Sequence, residues 1–372
     1  MLIARAPLRL SFFGGGTDLP EYYERYGGAV LSSSLNKYVY AIMNVSEQNA
    51  LQITSSDYRT FYRHTPGEPL LWDGDLSLPR AVFQHFGVTQ GVSLFLASES
   101  PPGTGLGSSS SVTVALVKAI STACGYKLTK SEVATVACDI EIGKLHKPIG
   151  VQDQYASAFG GLNWISFTAG GIDVQPLDVA PDTVSHLESH LLLMFTGAAH
   201  DSAQILDHQR RASLDRNGVV IDSLQAVSEL AVKARQYLQD GKLEDFGKLL
   251  DAAWKYKKRF APGVSNDDID RWYKMALNNG ALGGKIAGAG GGGFLILYCE
   301  DDSLERVAMA LTAAGLRRMD FHFESDGARV LFNAGLRLRD SGMTDDAGTD
   351  DANVNWMIPA GIGNRVLARR FR

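Results

Sequence analysis

The stretch PPGTGLGSSSS (residues 101–111) removes side chains at three of five positions and then supplies four hydroxyls at the mouth of a predicted helix. A helix N-terminus carries free N–H groups and the positive end of the helix dipole, so it favours an anion. Glycines before it let several N–H groups approach phosphate oxygens, and serine hydroxyls at the first helical positions can bond phosphate or ligate Mg²⁺. The P-loop pattern GxxxxGK[ST] is absent, because no lysine follows the glycines. Taken alone, the stretch fits either an anion site or a flexible turn with a serine cap. A strand before it and a helix after it favour the anion site.

Four further features bear on the same chemistry. Phosphoryl transfer needs one carboxylate to hold Mg²⁺ and another at the acceptor hydroxyl. Glu141 and Asp153, in ACDIEIGKLHKPIGVQDQ (137–154), could divide these tasks if the chain folds back past Pro148 and Gly150. Arg9 lies in an apolar strand and needs a buried partner. Asp18 ends the loop GGGTD (14–18), where capping a helix over 20–26 is its ordinary role. The segment GGKIAGAGGGGF (283–294) is glycine from 288 to 293 except for Ala289, so it packs against a ligand or another backbone.

The elements that must position these residues follow from periodicity. Strands are expected over 2–12, 27–45 (one or two), 92–100, 161–167, 190–197, 292–299 and 327–333. Helices are expected over 109–123, 130–146 with Ser131 as cap, 201–215, 219–239, 243–258, 268–280 and 303–315. The succession lacks a clean βαβ repeat, so the fold class is α+β rather than a doubly wound sheet. The pattern weakens at 176–190, which divides the chain into 1–185 and 186–339. Residues 340–372 are acidic and then basic, low in apolar content, and read as a tail outside the folded body.

Composition narrows the partners. The net charge is -5, so neither nucleic acid nor an anionic membrane is expected as the main partner, and an anionic substrate needs a local cationic site. Cys124, Cys138 and Cys299 are far apart and form no CxxC pair, as suits a reducing cytoplasm. The N-terminal residues carry no long apolar core, and a cytoplasmic location is expected.

APLRLSFFGGGTD, PPGTGLGSSSS and KIAGAGGGGF, in this order, resemble the three motifs of the GHMP kinases (galactokinase, homoserine kinase, mevalonate kinase, phosphomevalonate kinase). The resemblance covers about residues 1–339. Within the family, RLSFFGGGTDLPEYY, GGAVLSSSLNKYVYA and IGVQDQYASAFGGLN look closest to the bacterial D-glycero-D-manno-heptose 7-phosphate kinases. It implies an N-terminal domain like domain 2 of ribosomal protein S5, a ferredoxin-like C-terminal domain, and ATP with Mg²⁺ as cofactors. It also implies phosphorylation of the anomeric hydroxyl of a phosphorylated sugar, for nucleotide-activated heptose in capsule or lipopolysaccharide synthesis. A homodimer is the expected assembly.

The roles carry over by position. Asp153 and Arg9 would be catalytic, and Ser109 and Glu141 would hold the metal. Pro102, Gly103, Thr104, Gly105, Leu106, Gly107, Ser108, Ser109 and Ser110 would bind ATP. Gly14, Gly15, Asp18, Asp153, His200, Lys285, Gly290 and Gly291 would bind the sugar. Gly15 replaces a glutamate of galactokinases and Ala287 a common threonine. His200 stands where related sugar kinases often carry arginine. Lys257, Lys258 and Lys285 are the remaining cations for a substrate phosphate; for the KYKKR run (255–259) a solvated helix face is the ordinary reading. A fucokinase-like sugar 1-kinase, a non-catalytic sugar sensor and a decarboxylase of the same fold are the alternative readings.

Overall fold

The computed structural model describes residues 1–46, 49–57, 59–65, 67–72, 74, 76–197 and 202–338; His200 and the tail from 340 lie outside them. The chain opens with β1 (Leu2–Phe13), α1 (Pro20–Tyr26), β2 (Gly28–Val45), β3 (Leu51–Ser55), β4 (Thr60–His64) and α2 (Ser77–His85). It continues through β5 (Val92–Ser98), α3 (Ser108–Ala123), α4 (Lys130–Cys138), a π-helical turn (Asp139–Lys144) and α5 (Gln152–Phe159). Next come β6 (Leu162–Thr168), β7 (Gly171–Pro176), α6 (Pro181–His190), β8 (Leu191–Phe195), α7 (Ser202–Leu214), α8 (Gly218–Gln239) and α9 (Leu243–Lys257). The last elements are α10 (Asp267–Asn278), β9 (Ala281–Ile286), β10 (Phe294–Cys299), α11 (Asp301–Ala313), β11 (Arg317–Arg318) and β12 (Arg329–Asn333).

The long β2 is the spine of the first sheet. On one edge it pairs with β1; on the other, Gly28–Ser33 pairs with β6 and Val39–Val45 with β5. The main order is β12-β1-β2-β5-β3-β4, with β6 and β7 branching from β2. Burial alternates along Leu2–Arg5 and becomes continuous from Ala6 to Phe13, so the end of β1 is covered on both faces. Phe12 and Phe13 there meet Phe246 of α9 edge-on, at ring separations of 5.7 and 5.1 Å. The second sheet is antiparallel, in the order β11-β8-β10-β9. One buried cluster runs from Leu8 and Leu10 through Phe246 to Ile296 and Tyr298, so the two sheets share a core.

The chain crosses between the sheets twice, at 177–190 and again at 319–328. The crossings are bound to each other: the Glu188 carboxylate of α6 accepts from the Phe323 backbone N–H and lies 2.8 Å from His322 Nδ1. The second crossing delivers β12 to the free edge of β1, where Leu2 faces Asn333.

Four local expectations change. The weak pattern at 176–190 contains a helix, α6, begun by Pro181 at its first position. Thr129, not Ser131, caps α4, in a reciprocal box with Glu132. The helix expected over 130–146 is α4 followed by the π-helical turn. Asp18 does not cap α1, whose cap position is Leu19; its carboxylate accepts instead from the backbone N–H of Gly16 and of Gln152, the first residue of α5.

Candidate active site

The site is built around the N-terminus of α3. Gly107 occupies the cap position at φ 77° and, having no side chain, caps none of the first-turn N–H groups. Gly103 and Gly105 are also left-handed, at 74° and 83°. Alternating left-handed residues before a helix point successive N–H groups to one side, making an anion-binding concavity. Thr104 is fully buried and turned inward, its hydroxyl donating to the Pro101 carbonyl at 3.0 Å. Leu106 is buried in the core beneath the loop.

Arg9 finds its partner in Asp153. Nε and Nη2 donate to the two carboxylate oxygens at 2.7 Å each, and Nη1 donates to the Gly105 carbonyl at 2.5 Å. The fork leaves Asp153 one defined orientation and ties it to the phosphate loop. Gly107 makes room for this: a Cβ there would stand 3.2 Å from Arg9 Cγ and 3.3 Å from Asp153 Oδ2.

A second group lies across the helix mouth. Glu141 is completely buried in the π-helical turn, a wider coil that often marks functional positions. Ser109 Oγ donates to Glu141 Oε1 at 3.3 Å and Gln154 Nε2 donates to Oε2 at 2.8 Å. The Lys147 ammonium bonds both Ser109 Oγ, at 2.9 Å, and Glu141 Oε1, at 3.0 Å. The chain does fold back, so Glu141 and Asp153 flank one helix terminus. Hydroxyl and carboxylate are hard oxygen donors of the kind Mg²⁺ takes, and a cationic group already fits between them. Among the described residues, no three His, Cys, Asp or Glu side chains group together as a self-sufficient metal centre.

The third part is a buried polar chamber beside the loop 14–18. Asp18 accepts from the backbone N–H of Gly16 at 2.9 Å and of Gln152 at 3.3 Å. Burial, reinforced by the charge of Asp153, raises its carboxyl above the usual range against the pull of those amides. Gly150 must be bare, because a Cβ would fall 1.9 Å from Asp18 Oδ2. Among the described residues, Ser11 Oγ and Gln152 Oε1 have no hydrogen-bond partner though both are buried, and both residues border Gly15. Unpaired buried polar atoms around a residue with no side chain mark a place for a polar ligand.

Two buried lysines close this chamber. Lys257 donates to the carbonyls of Ile286, at 2.9 Å, and Gly288, at 2.5 Å. Burial, with Arg9 nearby, brings its pKa down to about 7. Lys285 donates to the Phe12 carbonyl at 2.9 Å, and burial together with the charges of Lys257 and Arg9 takes its ammonium well below the usual lysine range. Lys258, by contrast, points outward to Asp270 at 3.3 Å.

The glycines of 288–293 serve backbone contact. A Cβ on Gly288 would lie 2.7 Å from Gly105 Cα, and one on Gly293 would lie 2.3 Å from the Thr104 carbonyl oxygen. Phe294 N–H donates to that same carbonyl at 3.2 Å. Gly290 packs on Val264, and Gly291 N–H donates to the Val264 carbonyl at 2.9 Å. Gly14 is likewise pressed on the Ala29 carbonyl.

Comparison with known proteins assigns this geometry to a family. Residues 77–161 match the GHMP kinases N terminal domain and residues 234–316 the GHMP kinases C terminal domain. A D-glycero-alpha-D-manno-heptose 7-phosphate kinase of Campylobacter jejuni is 30% identical over 331 residues, covering 87% of this chain and 97% of that protein. The chain belongs to the GHMP kinases. A crystal structure of a D-glycero-D-manno-heptose 1-phosphate kinase from Bacteroides thetaiotaomicron superposes with a TM-score of 0.75 at 27% identity, over 90% of this chain and 99% of that one. A bifunctional fucokinase/GDP-fucose pyrophosphorylase of Arabidopsis thaliana is 25% identical over 79% of this chain, which spans 29% of that protein.

The protein is therefore a sugar kinase of the two-domain GHMP fold, a family that uses ATP. Among the described residues, no helix is long and apolar enough to cross a membrane. Sequence reasoning passed over Ser11, Lys147, Gln152 and Gln154. It left Lys257 unranked, although a signal was there: Lys257 continues the buried stripe Phe246, Leu250, Ala253 and Trp254 at helical spacing.

Proposed function

We propose that this kinase transfers the γ-phosphoryl group of ATP to the anomeric C1 hydroxyl of D-glycero-D-manno-heptose 7-phosphate. The product is the 1,7-bisphosphate, made in the cytoplasm on the way to nucleotide-activated heptose for capsule or lipopolysaccharide. The observation that carries the choice of a phosphorylated sugar is the pair Lys257 and Lys285, buried beside Asp18 and Arg9 on the sugar side of the site. Burying two lysines in one chamber is costly unless an anion completes it. Similarity to the Campylobacter heptose 7-phosphate kinase supports the same choice.

In this reading the ATP phosphates rest on the N–H groups from Gly103 to Ser110. Ser109 and Glu141 would hold Mg²⁺, which when bound neutralises charge on the β- and γ-phosphates. Asp153, fixed by Arg9, takes the C1 hydroxyl proton as the sugar oxygen bonds to the γ-phosphorus and the bond to ADP breaks. Arg9 offsets the charge that then develops on that oxygen. An anomeric hydroxyl is already more acidic than an ordinary alcohol, so orientation carries much of the barrier reduction. Asp18, Ser11 and Gln152 take the sugar hydroxyls, while Lys257 and Lys285 receive the 7-phosphate.

The test is an ADP-release assay across heptose 7-phosphate, mannose 6-phosphate, fucose and galactose. Heptose 7-phosphate should give the highest kcat/KM by at least an order of magnitude. A preference for fucose would replace this reading with the fucokinase-like one, which similarity to the Arabidopsis protein keeps in view. A non-catalytic sensor is disfavoured because both the Arg9–Asp153 and Ser109–Glu141 pairs are intact.

A further inference from the structure

Lys147 stands in the gap between Ser109 Oγ and Glu141 Oε1. Those two oxygens are 3.3 Å apart and the ammonium lies 2.9 and 3.0 Å from them. Adjacent oxygens around an octahedral Mg²⁺, bound at about 2.1 Å, are separated by roughly 3 Å, so a metal would need the same gap. Ammonium and metal cannot share it. Glu141 is fully buried, and a buried carboxylate without a counter-charge is strongly disfavoured. Among the described residues, Lys147 is the cation within ion-pair distance of it.

The backbone fixes this placement. Lys147 N–H donates to the carbonyl of Glu141 itself at 3.0 Å, and Ile149 N–H donates to the Lys147 carbonyl at 2.9 Å. His146 holds the left-handed conformation at φ 51° that aims the next residue back, and Pro148 follows. The side chain is 29% exposed, so the ammonium reaches the gap from solvent and has an open path to withdraw.

We propose that Lys147 is an exchangeable counter-cation. It holds the Ser109–Glu141 pair in metal-binding geometry while the metal is absent, and it yields the gap when the metal arrives with nucleotide. The inference rests on the reading of Ser109 and Glu141 as the metal site. It makes metal binding to the nucleotide-free protein weak by design, since a free ion must displace a tethered ammonium.

The experiment measures Mn²⁺ binding to nucleotide-free protein by electron paramagnetic resonance, and thermal midpoints with and without Mn²⁺ or Mg²⁺. Lys147→Met should bind Mn²⁺ about tenfold more tightly than the parent, the size of a modest electrostatic competition. Its metal-free melting temperature should fall by several degrees and recover on adding metal. Lys147→Arg, which keeps the charge, should stay near the parent in both measurements. Glu141→Gln separates the two claims. If Glu141→Gln binds Mn²⁺ as the parent does, the metal reading fails and takes this inference with it. If Glu141→Gln loses Mn²⁺ while Lys147→Met binds no tighter and shows no larger metal-dependent stabilisation than the parent, the counter-cation role alone is overturned.

Discussion

The two glycine-rich loops have nearly the same composition and different surroundings. Residues 103–107 end at a helix terminus left uncapped, with the Arg9–Asp153 pair against their last glycine. Residues 287–293 face the back of that first loop, with Gly288 on Gly105 and Gly293 on Thr104. Gly105 of the first loop is bare against the Ala287 carbonyl, Gly107 against the Arg9–Asp153 pair, and the second loop against the first; in the proposed reading, the first loop alone also turns its N–H groups to a ligand. Glycine content reports close approach, and only the partner decides what the approach is for.

The comparison can be broken most severely at the chemical side of the first loop. Asp153→Ala should lower kcat by about 10³-fold, the range of a lost general base, while ATP affinity by calorimetry changes little. Retained turnover would sink the role given to Asp153. The second loop is probed by Gly288→Ala, which puts a Cβ 2.7 Å from Gly105 Cα at φ 62°. It should cost about 2–4 kcal/mol in chemical denaturation through strain and overpacking, and it should weaken ATP binding as well. Gly125→Ala is the control: φ is 88° but nothing lies within 4 Å, so about 1 kcal/mol is expected with unchanged ATP affinity.

A smaller effect sharpens the sugar side. With its pKa brought down to about 7, Lys257 is charged below that pH and neutral above it in the free enzyme. A sugar phosphate becomes a dianion above about pH 6. KM for heptose 7-phosphate should therefore be lowest between those values and rise above pH 7. In Lys257→Met, KM should be about tenfold higher at pH 7 and the rise above pH 7 should flatten. An unchanged KM profile would remove Lys257 from phosphate recognition. The smallest effect contrasts two helix starts. α4 is closed by Thr129 and Glu132 where α3 is left open, so Thr129→Ala should cost about 1 kcal/mol of stability and leave activity untouched.

What could be read in advance follows the same division. The fold class and the residues around α3 were legible because each imposes a residue type on the backbone: glycine where φ is positive, hydroxyls at a helix mouth, a partner for a buried arginine. The partner of the second glycine loop was not legible, because a ligand and a neighbouring carbonyl exclude a Cβ equally well. Lys147 was hidden for another reason. It meets Ser109 only after the π-helical turn and the left-handed His146 redirect the chain, and neither leaves a period in the sequence. β3, β4 and β7 mix polar with apolar residues and lack the continuous apolar run that marks the equally short β8 and β10.

The double crossing between the sheets has a mechanical consequence. A body joined by one strand of chain can swing and twist about the link, whereas here two links are pinned together through Glu188 to His322 and Phe323. With the core common to both sheets and the contacts of Gly288 on Gly105 and Gly293 on Thr104, they brace the two halves as one body, like a door latched as well as hinged. Residues 103–107 and 288–293, one on each half, are thereby held in register with each other.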